Sequence, residues 1–504
     1  MQKSGRLYKW ILFLWGVFSL ILLTYLAQEC RNTDSVAVCV LLTLSILILI
    51  VFWLGSVKDL LFSVCYVIKR KEFDQIYQKV RCHTTNEQPA FVLLYCTYND
   101  FNPTALLKSM EQDYPNVRTV ILDDSTKEPF QKEIDEFALA HHVSVVRRGD
   151  RVGFKAGNLN HYLAGREDYD YFVVLDSDEV LPAHYISSVL KYFSALPRIG
   201  AVQARHVAGK AENAFQALLG MSIKSNGKTA QVVKNFYGAN ALLGHGMTIS
   251  RPCYEATGGF PHVVAEDISM AVLTKNAGYE IVYAQDVECV EEFPYDYVSL
   301  KKRQCKWTQG NLEYMQRYHR DIMTSHMAWY EKLDMILSHY MLPLTPVLSF
   351  VLVTINILLG LFDYQVVRHS FFIYAAMTLF LLSPLVSDVF VYGRTKKAYL
   401  LLPYFGVNIV TYASMAPMML RTVLRGVFGQ RATFLVTPKE KRQFSLYDTF
   451  AYTIDSLLFA VVLAAFSYWS CKTIWPSVLL VGSCALAPMV FYLSNIGLGR
   501  KYLA

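Results

Sequence analysis

The sequence predicts a polytopic α-helical membrane protein that carries one cytosolic α/β domain with a Rossmann-type parallel sheet. Three observations lead to this fold class. The 504-residue chain is 53% hydrophobic and only 18% charged, whereas soluble globular proteins carry about 25% charged residues. The apolar residues form long blocks near both ends of the chain. Between these blocks, short apolar runs alternate with helical patterns, which is typical of a parallel sheet covered by helices.

The first region, residues 1–57, contains two uncharged apolar runs at 10–27 and 36–54. A helix rises about 1.5 Å per residue, so each run can cross a hydrocarbon core of about 30 Å. A signal peptide would be followed by soluble sequence, but here a short polar link leads directly into the second run. We therefore predict a hairpin of two transmembrane helices.

The last region, residues 327–504, contains five further apolar blocks. They lie at 335–362, 369–392, 398–424, 447–469 and 474–495. The block at 398–424 differs from the others because Pro403 and Pro417 interrupt it and Arg421 enters its last turn. We predict that this block is an interfacial helix and that the other four blocks are transmembrane helices.

The positions of Lys and Arg predict the orientation. Basic residues precede the first apolar run and follow the second, whereas the links at 28–35, 363–370 and 470–473 carry one each. This bias places both termini and the domain at 58–326 in the cytoplasm of a multi-pass cell-membrane protein. An odd number of spans would separate the termini, which is a second reason to read 398–424 as interfacial. The net charge of +7 is modest, and we expect no nucleic-acid partner.

The region at 58–326 shows the alternating pattern. Predicted strands lie at 91–96, 117–122, 143–146 and 171–175, and predicted helices lie at 103–112, 129–141 and 155–164. In open parallel sheets, ligands bind outside the carboxyl ends of the strands. The residues that follow each predicted strand are therefore the candidates for a site.

Polar residues follow all four predicted strands. They are Thr97 and Asn99, then Asp123 and Asp124, then the basic stretch 147–155, and finally Asp176 and Asp178. Neither GxxxxGK[ST] nor GxGxxG occurs in this region, so a bound nucleotide would need a metal to neutralise its phosphates. A hard divalent cation prefers oxygen ligands together with phosphates. We predict such a site at Asp176 and Asp178; the alternative is an ordinary surface pair of acids.

Three further segments are candidates. Glu266 and Asp267 precede a helical pattern at 268–276, where they could instead serve as helix caps. The basic run at 301–307 ends in Trp307 and could instead be an anchor at the membrane surface. The segment 434–439 lies between two apolar blocks, and its alternative is an ordinary basic loop.

Taken in order, these motifs resemble those of processive family 2 membrane glycosyltransferases, the cellulose synthase and hyaluronan synthase type. The matching motifs are Asp123-Asp124, Lys155-Ala156-Gly157, Asp176-Ser177-Asp178, Ala265-Glu266-Asp267 and Arg303-Gln304-Cys305-Lys306-Trp307. Residues 434–439, within a loop at 430–442, resemble the Phe-x-Val-Thr-x-Lys gating loop of bacterial cellulose synthases. Residues 235–240 resemble the acceptor motif of the same enzymes. The pattern is most similar to bacterial β-glucan synthases.

The resemblance implies a GT-A-like domain that transfers glucose from UDP-glucose, with inversion, to a growing β-glucan of the exo- or capsular polysaccharide kind. The polymer would leave through the protein's own transmembrane channel. The resemblance implies Asp267 and Glu266 as catalytic residues, with Asp267 as the base, and Asp178 with Asp176 as ligands of Mg²⁺ or Mn²⁺. The implied substrate-binding residues are Thr97, Asn99, Asp123, Asp124, Lys155, Asp176, Arg303, Gln304, Lys306, Trp307, Phe434, Thr437 and Lys439. The implied acceptor-binding residues are Phe236, Tyr237, Gly238 and Trp307.

The last motif departs from the family, with Lys306 where Arg is usual and Arg303 where Gln is usual. Arg binds a diphosphate with a planar fork, whereas Lys acts as a point charge. We predict that Arg303, Gln304 and Lys306 share the diphosphate contact.

Alternative functions stay open. They are a hyaluronan- or chitin-like synthase that uses other UDP-sugars, a non-processive polyprenyl-phosphate glycosyltransferase, and a transporter or receptor with an inactive enzyme domain. Asn356, Tyr374 and Tyr452 are candidates for channel lining; the alternative for these residues is helix–helix packing.

Overall fold

The computed structural model describes residues 3–395, 398–430, 432 and 444–495. Seven strands lie in this part of the chain: β1 Phe91–Thr97, β2 Val117–Asp123, β3 Ser144–Val146, β4 Tyr171–Asp176, β5 Ile199–Ala208, β6 Met247–Ser250 and β7 Glu280–Glu291. The helices before β7 are α1 Arg6–Arg31, α2 Val36–Arg81, α3 Pro103–Met110, α4 Glu128–His141, α5 Phe154–Leu163, α6 Tyr185–Ala195, α7 Ala214–Leu219, α8 Met221–Lys228, α9 Ala230–Tyr237, α10 Arg251–Thr257 and α11 Glu266–Asn276. Those after it are α12 Tyr297–Thr324, α13 Trp329–His339, α14 Met341–Leu359, α15 Val366–Leu382, α16 Val386–Tyr392, α17 Leu401–Ser414, α18 Ala416–Val427, α19 Leu446–Cys471 and α20 Val478–Asn495.

The seven strands form one sheet in the order β3-β2-β1-β4-β6-β5-β7. The four predicted strands are present and pair in parallel, as the alternating pattern indicates. Strand β6 runs antiparallel to both β4 and β5, so the sheet is parallel with one antiparallel strand. After β5, the helices α7 to α9 border the cavity at the carboxyl edge of the sheet. The chain therefore enters β6 from that edge, which reverses the strand.

Both faces of the sheet are buried, and the residues of β1 alternate between two cores. Phe91, Leu93 and Tyr95 belong to the core on one face, and Val92 and Leu94 belong to the core on the other. A strand that is covered on both faces needs apolar residues at every position. This explains why β1 reads as a continuous apolar run rather than as an alternating pattern.

Helix α2 joins the membrane region to the α/β domain without a break. Its 46 residues correspond to about 69 Å at about 1.5 Å per residue, which is more than twice the thickness of a hydrocarbon core. Phe73, Tyr77 and Val80, near its end, are buried in one core of the domain. Lys58, where the sequence changes from apolar to polar, therefore lies inside a helix. The domain is fixed to the second apolar helix by packing.

Seven helices in the described part of the chain are long and apolar enough to cross a membrane. They are Arg6–Arg31, Val36–Arg81, Met341–Phe362, Val366–Tyr392, Ala398–Val427, Leu446–Cys471 and Trp475–Leu493. Large apolar side chains on these helices are exposed, among them Trp10, Leu20 and Val462, as expected where lipid replaces water. The segment Ala398–Val427 has the lowest mean hydropathy of the seven and is divided at Met415 between α17 and α18. The chain is thus a membrane protein; six spans with one interfacial segment, and the cytoplasmic side of the domain, stay predictions.

Candidate active site

The strand register brings the predicted polar residues to one edge of the sheet. Thr97 pairs with Asp123 at the ends of β1 and β2, and Cys96 pairs with Asp176 at the ends of β1 and β4. A cavity of about 1590 Å³ opens at this edge. Its wall includes these predicted residues: Thr97, Asp124, Lys155, Asp176, Asp178, Glu266, Asp267, Arg303, Gln304, Lys306 and Trp307. Parallel strand order brings together the residues that follow β1, β2 and β4, whereas α11 and α12 bring Glu266, Asp267 and the segment 303–307 to the same cavity.

The acids after β2 are held by the arginines after β3. Asp123 is buried; its carboxylate accepts from the backbone N–H of Ser125 at 2.8 Å and from Arg147 Nε at 2.6 Å. Arg148 binds both carboxylate oxygens of Asp124, at 2.9 and 2.7 Å. This two-pronged pairing fixes the geometry of both groups. Asp124 faces the cavity, whereas Asp123 lies behind the cavity wall.

Asn99 holds the turn at this end of the site and does not line the cavity. It adopts a left-handed backbone conformation with φ of 56°, and its side-chain oxygen accepts from the backbone N–H groups of Thr126 and Lys127 at 3.0 and 2.9 Å. The residues beside it, Tyr98 and Arg151, do line the cavity, with the guanidinium 3.5 Å from the ring centroid. The sequence analysis did not identify this stacked pair of side chains, because Tyr98 follows β1 and Arg151 follows β3.

Asp176 and Asp178 lie on the cavity wall after β4, next to a buried lysine. Lys155 Nζ forms an ion pair with Asp176 and donates to the carbonyl of Gly244 at 2.7 Å. Burial acts to lower the pKa of Lys155, but the charge of Asp176 outweighs it and raises the pKa above the usual value. The Asp176 side chain is 40% exposed. Two carboxylates on a cavity wall supply the oxygen ligands that a hard divalent cation takes, so the residues present fit such an ion.

The loop that carries this pair is braced by Asp100, a residue that the sequence reasoning did not use. One carboxylate oxygen of Asp100 accepts from Thr97 Oγ1 at 3.0 Å, and the other accepts from Ser177 Oγ at 2.6 Å. Asp100 thus joins the end of β1 to the residue between the two acids. The sequence does not reveal this link, because acidic residues are common in turns and the pattern does not indicate their partners.

Glu266 and Asp267 begin α11 and face the same cavity. Burial raises the pKa of both carboxyl groups, and the neighbouring Asp267 adds to the effect on Glu266, whose pKa rises to about 7. Asp267 Oδ1 accepts from the backbone N–H of Ile268 at 2.8 Å. Its other oxygen lies against Gly244, where an added Cβ would be 3.1 Å from Oδ2. A cavity-facing carboxylate with a raised pKa is suited to general-base chemistry.

Helix α12 supplies the basic and aromatic residues. Arg303 lies between two rings, with its guanidinium carbon 4.5 Å from the Phe293 centroid and 4.6 Å from the Trp307 centroid. Burial lowers the pKa of both Arg303 and Lys306; the carboxylates of Glu266 and others oppose this for Lys306. Residues 303 and 307 are one helical turn apart and therefore share a face. These cations concentrate positive charge opposite the acids.

Of the predicted acceptor residues, Trp307 lines the cavity, whereas Phe236, Tyr237 and Gly238 do not. Phe236 is buried against Phe73, with ring centroids 4.4 Å apart, and Tyr237 lies beside Lys69. At Gly238 an added Cβ would come within 2.3 Å of Asp334 Oδ2. The segment 236–238 packs between α2 and α13, whereas residues 241–245 line the cavity; the acceptor role of 236–238 stays a prediction. Phe434, Thr437 and Lys439, in the predicted gating loop, lie outside the described residues.

The cavity continues from the acids into the apolar helices. There its wall includes these polar side chains: Ser349, Asn356, Tyr374, Asp388, Tyr404 and Asn408. Two of the three candidates for channel lining, Asn356 and Tyr374, are in this set. Tyr452 is not, and it packs against Phe444 and Phe491. The site and the space among the membrane helices thus form one cavity.

Residues 171–386 match the family described as Glycosyl transferase family group 2. A relative from Synechocystis sp. (strain ATCC 27184 / PCC 6803 / Kazusa), named Beta-monoglucosyldiacylglycerol synthase, is 27% identical over 242 residues. The alignment covers 46% of this chain, and the chain spans about half the length (50%) of that relative.

Two solved structures are similar at a lower level. The mannosyltransferase PcManGT from Pyrobaculum calidifontis, in complex with GDP-Man and Mn²⁺, is 18% identical with a TM-score of 0.44; the likeness covers 73% of this chain and 99% of that one. TarS from S. aureus is 13% identical with a TM-score of 0.35, covering 60% and 55% of the two chains.

The family match and the observed sheet together confirm the predicted fold class, a GT-A-like domain with long apolar helices. They also confirm the predicted enzyme class at the level of the domain, which is that of a glycosyltransferase. The cellulose synthase or hyaluronan synthase subtype stays a prediction.

Proposed function

We propose that this protein is an inverting, processive glycosyltransferase. It takes a hexose from a UDP-sugar, UDP-glucose in the first place, and adds it at the cytosolic face of the membrane to a β-glucan. The growing chain leaves through the cavity among the apolar helices. The observation that carries this proposal is the single cavity that joins Asp178 and Asp267 to polar side chains of the membrane region, such as Asn356.

Asp267 is the proposed base. Inverting transfer needs one group that removes the proton from the attacking hydroxyl, on the side of the sugar opposite the leaving diphosphate. Asp267 faces the cavity with one carboxylate oxygen directed past Gly244, where the missing side chain leaves room for an acceptor hydroxyl. Burial raises the pKa of Asp267 above that of an ordinary carboxyl group, which makes it a stronger proton acceptor. Glu266, beside it, interacts with the same two cations as Asp267, namely Lys155 and Lys306.

The basic residues are proposed to stabilise the leaving group. Lys155, Arg303 and Lys306 line the cavity around the acid pair, where the UDP diphosphate develops negative charge. When bound at Asp176 and Asp178, Mg²⁺ or Mn²⁺ would supply Lewis-acid neutralisation of that diphosphate. Each of the three side chains binds and orients the donor. Thr437 and Lys439 of the predicted gating loop belong to the same proposal.

The aromatic side chains are proposed to bind the nucleotide of the donor and the terminal sugar of the acceptor. Tyr98, covered on one face by Arg151, presents a flat surface close to Asp124 for the uridine. Trp307 is 44% exposed on the cavity wall and is held by Arg303. Its free face would stack on the terminal sugar of the acceptor. An acceptor that binds here extends directly into the membrane part of the cavity.

A second candidate is transfer of one sugar to a membrane lipid. The name of the Synechocystis relative, a glucosyldiacylglycerol synthase, favours a lipid acceptor. The same cavity would then admit a lipid rather than release a polymer. A lipid tail needs apolar walls, whereas a sugar chain needs polar and aromatic groups. The mixed wall, with Asp388 and Asn408 among apolar residues, supports the first candidate more strongly.

The deciding experiment uses full-length protein in nanodiscs. It receives a panel of radiolabelled UDP-sugars with Mg²⁺ or Mn²⁺, and the products are separated by solvent extraction and by size. We expect a long, water-soluble polymer from UDP-glucose that a β-glucanase degrades. A chloroform-soluble product with one sugar per acceptor would establish the lipid candidate. No UDP release with any donor would refute both and favour an inactive domain.

A further inference from the structure

A buried histidine lies between two carboxylates directly behind the Asp176–Asp178 loop. His245 Nδ1 is 3.2 Å from Glu179 Oε1, and His245 Nε2 is 3.3 Å from Glu291 Oε2. The three side chains are 13%, 0% and 17% exposed, respectively. His245 belongs to the loop between α9 and β6, with Gly244 and Gly246 on either side, both at positive φ. None of the motifs used in the sequence reasoning includes it.

The two contacts define the charge of the ring. A neutral imidazole has one N–H and one lone pair, so one of its nitrogens would face a carboxylate oxygen without a proton between them. The imidazolium has a proton on both nitrogens and is attracted by both acids. Burial acts to raise the pKa of Glu291, and the contact with His245 holds it at about 2.

The neighbouring His206 does not turn this cluster into a metal site. Ligand atoms of Glu179, His206 and His245 lie within 4.8 Å of one another, but the two imidazole rings are stacked, 4.1 Å apart with 1° between their planes. A metal ion lies in the plane of each imidazole that binds it, and one ion cannot lie in two separated parallel planes. The stacked arrangement therefore fits a protonated His245 ring on a neutral His206 ring. Burial and the neighbouring His245 lower the pKa of His206, in agreement.

The bridge joins three parts of the site. Glu179 directly follows Asp178, and its second oxygen accepts from the backbone N–H of Gly246 at 2.9 Å. Glu291 ends β7, two residues before the Phe293 ring that covers Arg303. The backbone carbonyl of Gly244, next to the bridge, accepts from Lys155.

We propose that the His245 imidazolium is a positioning residue, which fixes the Asp176–Asp178 loop against the Arg303 end of the site by bridging Glu179 and Glu291. The inference rests on the proposed function, because it assigns the loop to metal and diphosphate binding. Without the bridge, the carboxylates of Glu179, which directly follows Asp178, and Glu291 repel one another. The affinity for a nucleotide with its metal then falls.

The test measures UDP binding to the full-length protein by calorimetry, with Mn²⁺ and with EDTA. We expect His245→Gln to raise the dissociation constant of UDP with Mn²⁺ about tenfold, the size of effect seen for residues that orient metal ligands, and to leave binding in EDTA unchanged. The matched control is His206→Gln, which removes the stacked ring but keeps the bridge and is expected to bind as the parent does. The double variant His245→Gln with Glu179→Gln removes one repelling charge and keeps the acceptor for Gly246. It should recover most of the lost affinity.

The outcomes distinguish a failure of the proposed function from a failure of the positioning role of His245. If the parent protein binds no UDP with Mn²⁺, the proposed function fails. If the parent binds and His245→Gln binds equally well, or the double variant shows no recovery, the positioning role alone is overturned. Stoichiometric zinc in the purified parent protein would overturn it as well. Should His245→Gln not fold, Glu291→Gln leaves the Glu179 contact in place and is expected to weaken UDP–Mn²⁺ binding by a smaller factor; unchanged binding there would overturn the role.

Discussion

Gly244 is the position at which one added methyl group should act on catalysis. Its φ is +92°, and a Cβ would lie 3.1 Å from Asp267 Oδ2, a few tenths of an ångström inside ordinary contact. In Gly244→Ala the carboxylate of the proposed base must therefore move by that amount. Gly258 has a similar φ of +75° but no heavy atom within 4 Å of its Cβ position. Gly258→Ala is thus the matched control for backbone strain alone.

We expect both variants to lose about 1–2 kcal/mol of stability, since an L-residue in a left-handed conformation costs about that much. Only Gly244→Ala should lose turnover. A misplacement of about 1 Å at a reacting centre can cost about a hundredfold, so a shift of a few tenths of an ångström should lower kcat by about tenfold or less. UDP binding should not change, because Asp267 does not hold the nucleotide in the proposed mechanism.

The assay is UDP release by purified full-length protein at saturating donor, with thermal melting and UDP calorimetry on the same samples. If Gly244→Ala keeps the parent's kcat, Asp267 does not act through the face that Gly244 leaves open. If Gly258→Ala loses as much turnover as Gly244→Ala, the loss reflects backbone strain and the proposed contact is refuted.

Three further predictions concern single carboxyl groups. Asp267→Asn should abolish transfer while UDP binding, measured by calorimetry, stays near that of the parent; unchanged turnover would remove Asp267 as the base. Burial raises the pKa of Glu266 to about 7, so ionising this carboxyl group destabilises the folded protein as the pH rises from about 4.5. Glu266→Gln should therefore raise Tm at pH 8 more than at pH 5. An equal Tm shift at both pH values would contradict this. Asp334 is buried with two lysines 3.6 Å away, and Asp334→Asn should lower the free energy of unfolding by about 3 kcal/mol. The control, Asp168→Asn in the exposed pair with Arg118, should lower it by less than about 1 kcal/mol. Equal shifts in Tm would show that the buried network contributes little.

The early strands and helices could be predicted because their signals are local. An apolar run followed by polar residues defines β1, β2 and β4, and their observed bounds lie within about two residues of the expected ones, as is usual. The acids at Asp123 and Asp176 were found because they follow such runs. Strand β6 has only four residues, all of them buried, and an apolar run this short does not distinguish a strand from other buried segments.

Other parts of the site depend on distant residues and could not be read from the sequence. Phe236 was assigned to an acceptor site by its motif, but helix α2 covers it because α2 continues far beyond its apolar half. His245 was not singled out because a histidine between two glycines acquires meaning only when Glu179 and Glu291 lie on either side of it. The roles of Tyr98 and Asp100 likewise require contacts between different strand ends.

The sequence by itself determined the class of this protein. Hydrophobic blocks, the position of charges and polar residues at strand ends depend on composition and short periods, and these are enough to specify apolar helices around an α/β domain with acids at one edge. The tertiary structure decided the electrostatics and the shape of the cavity. A pKa or a cavity wall depends on which groups lie within a few ångströms, and for Asp267, Gly244 and Lys155 those neighbours come from segments far apart in the chain.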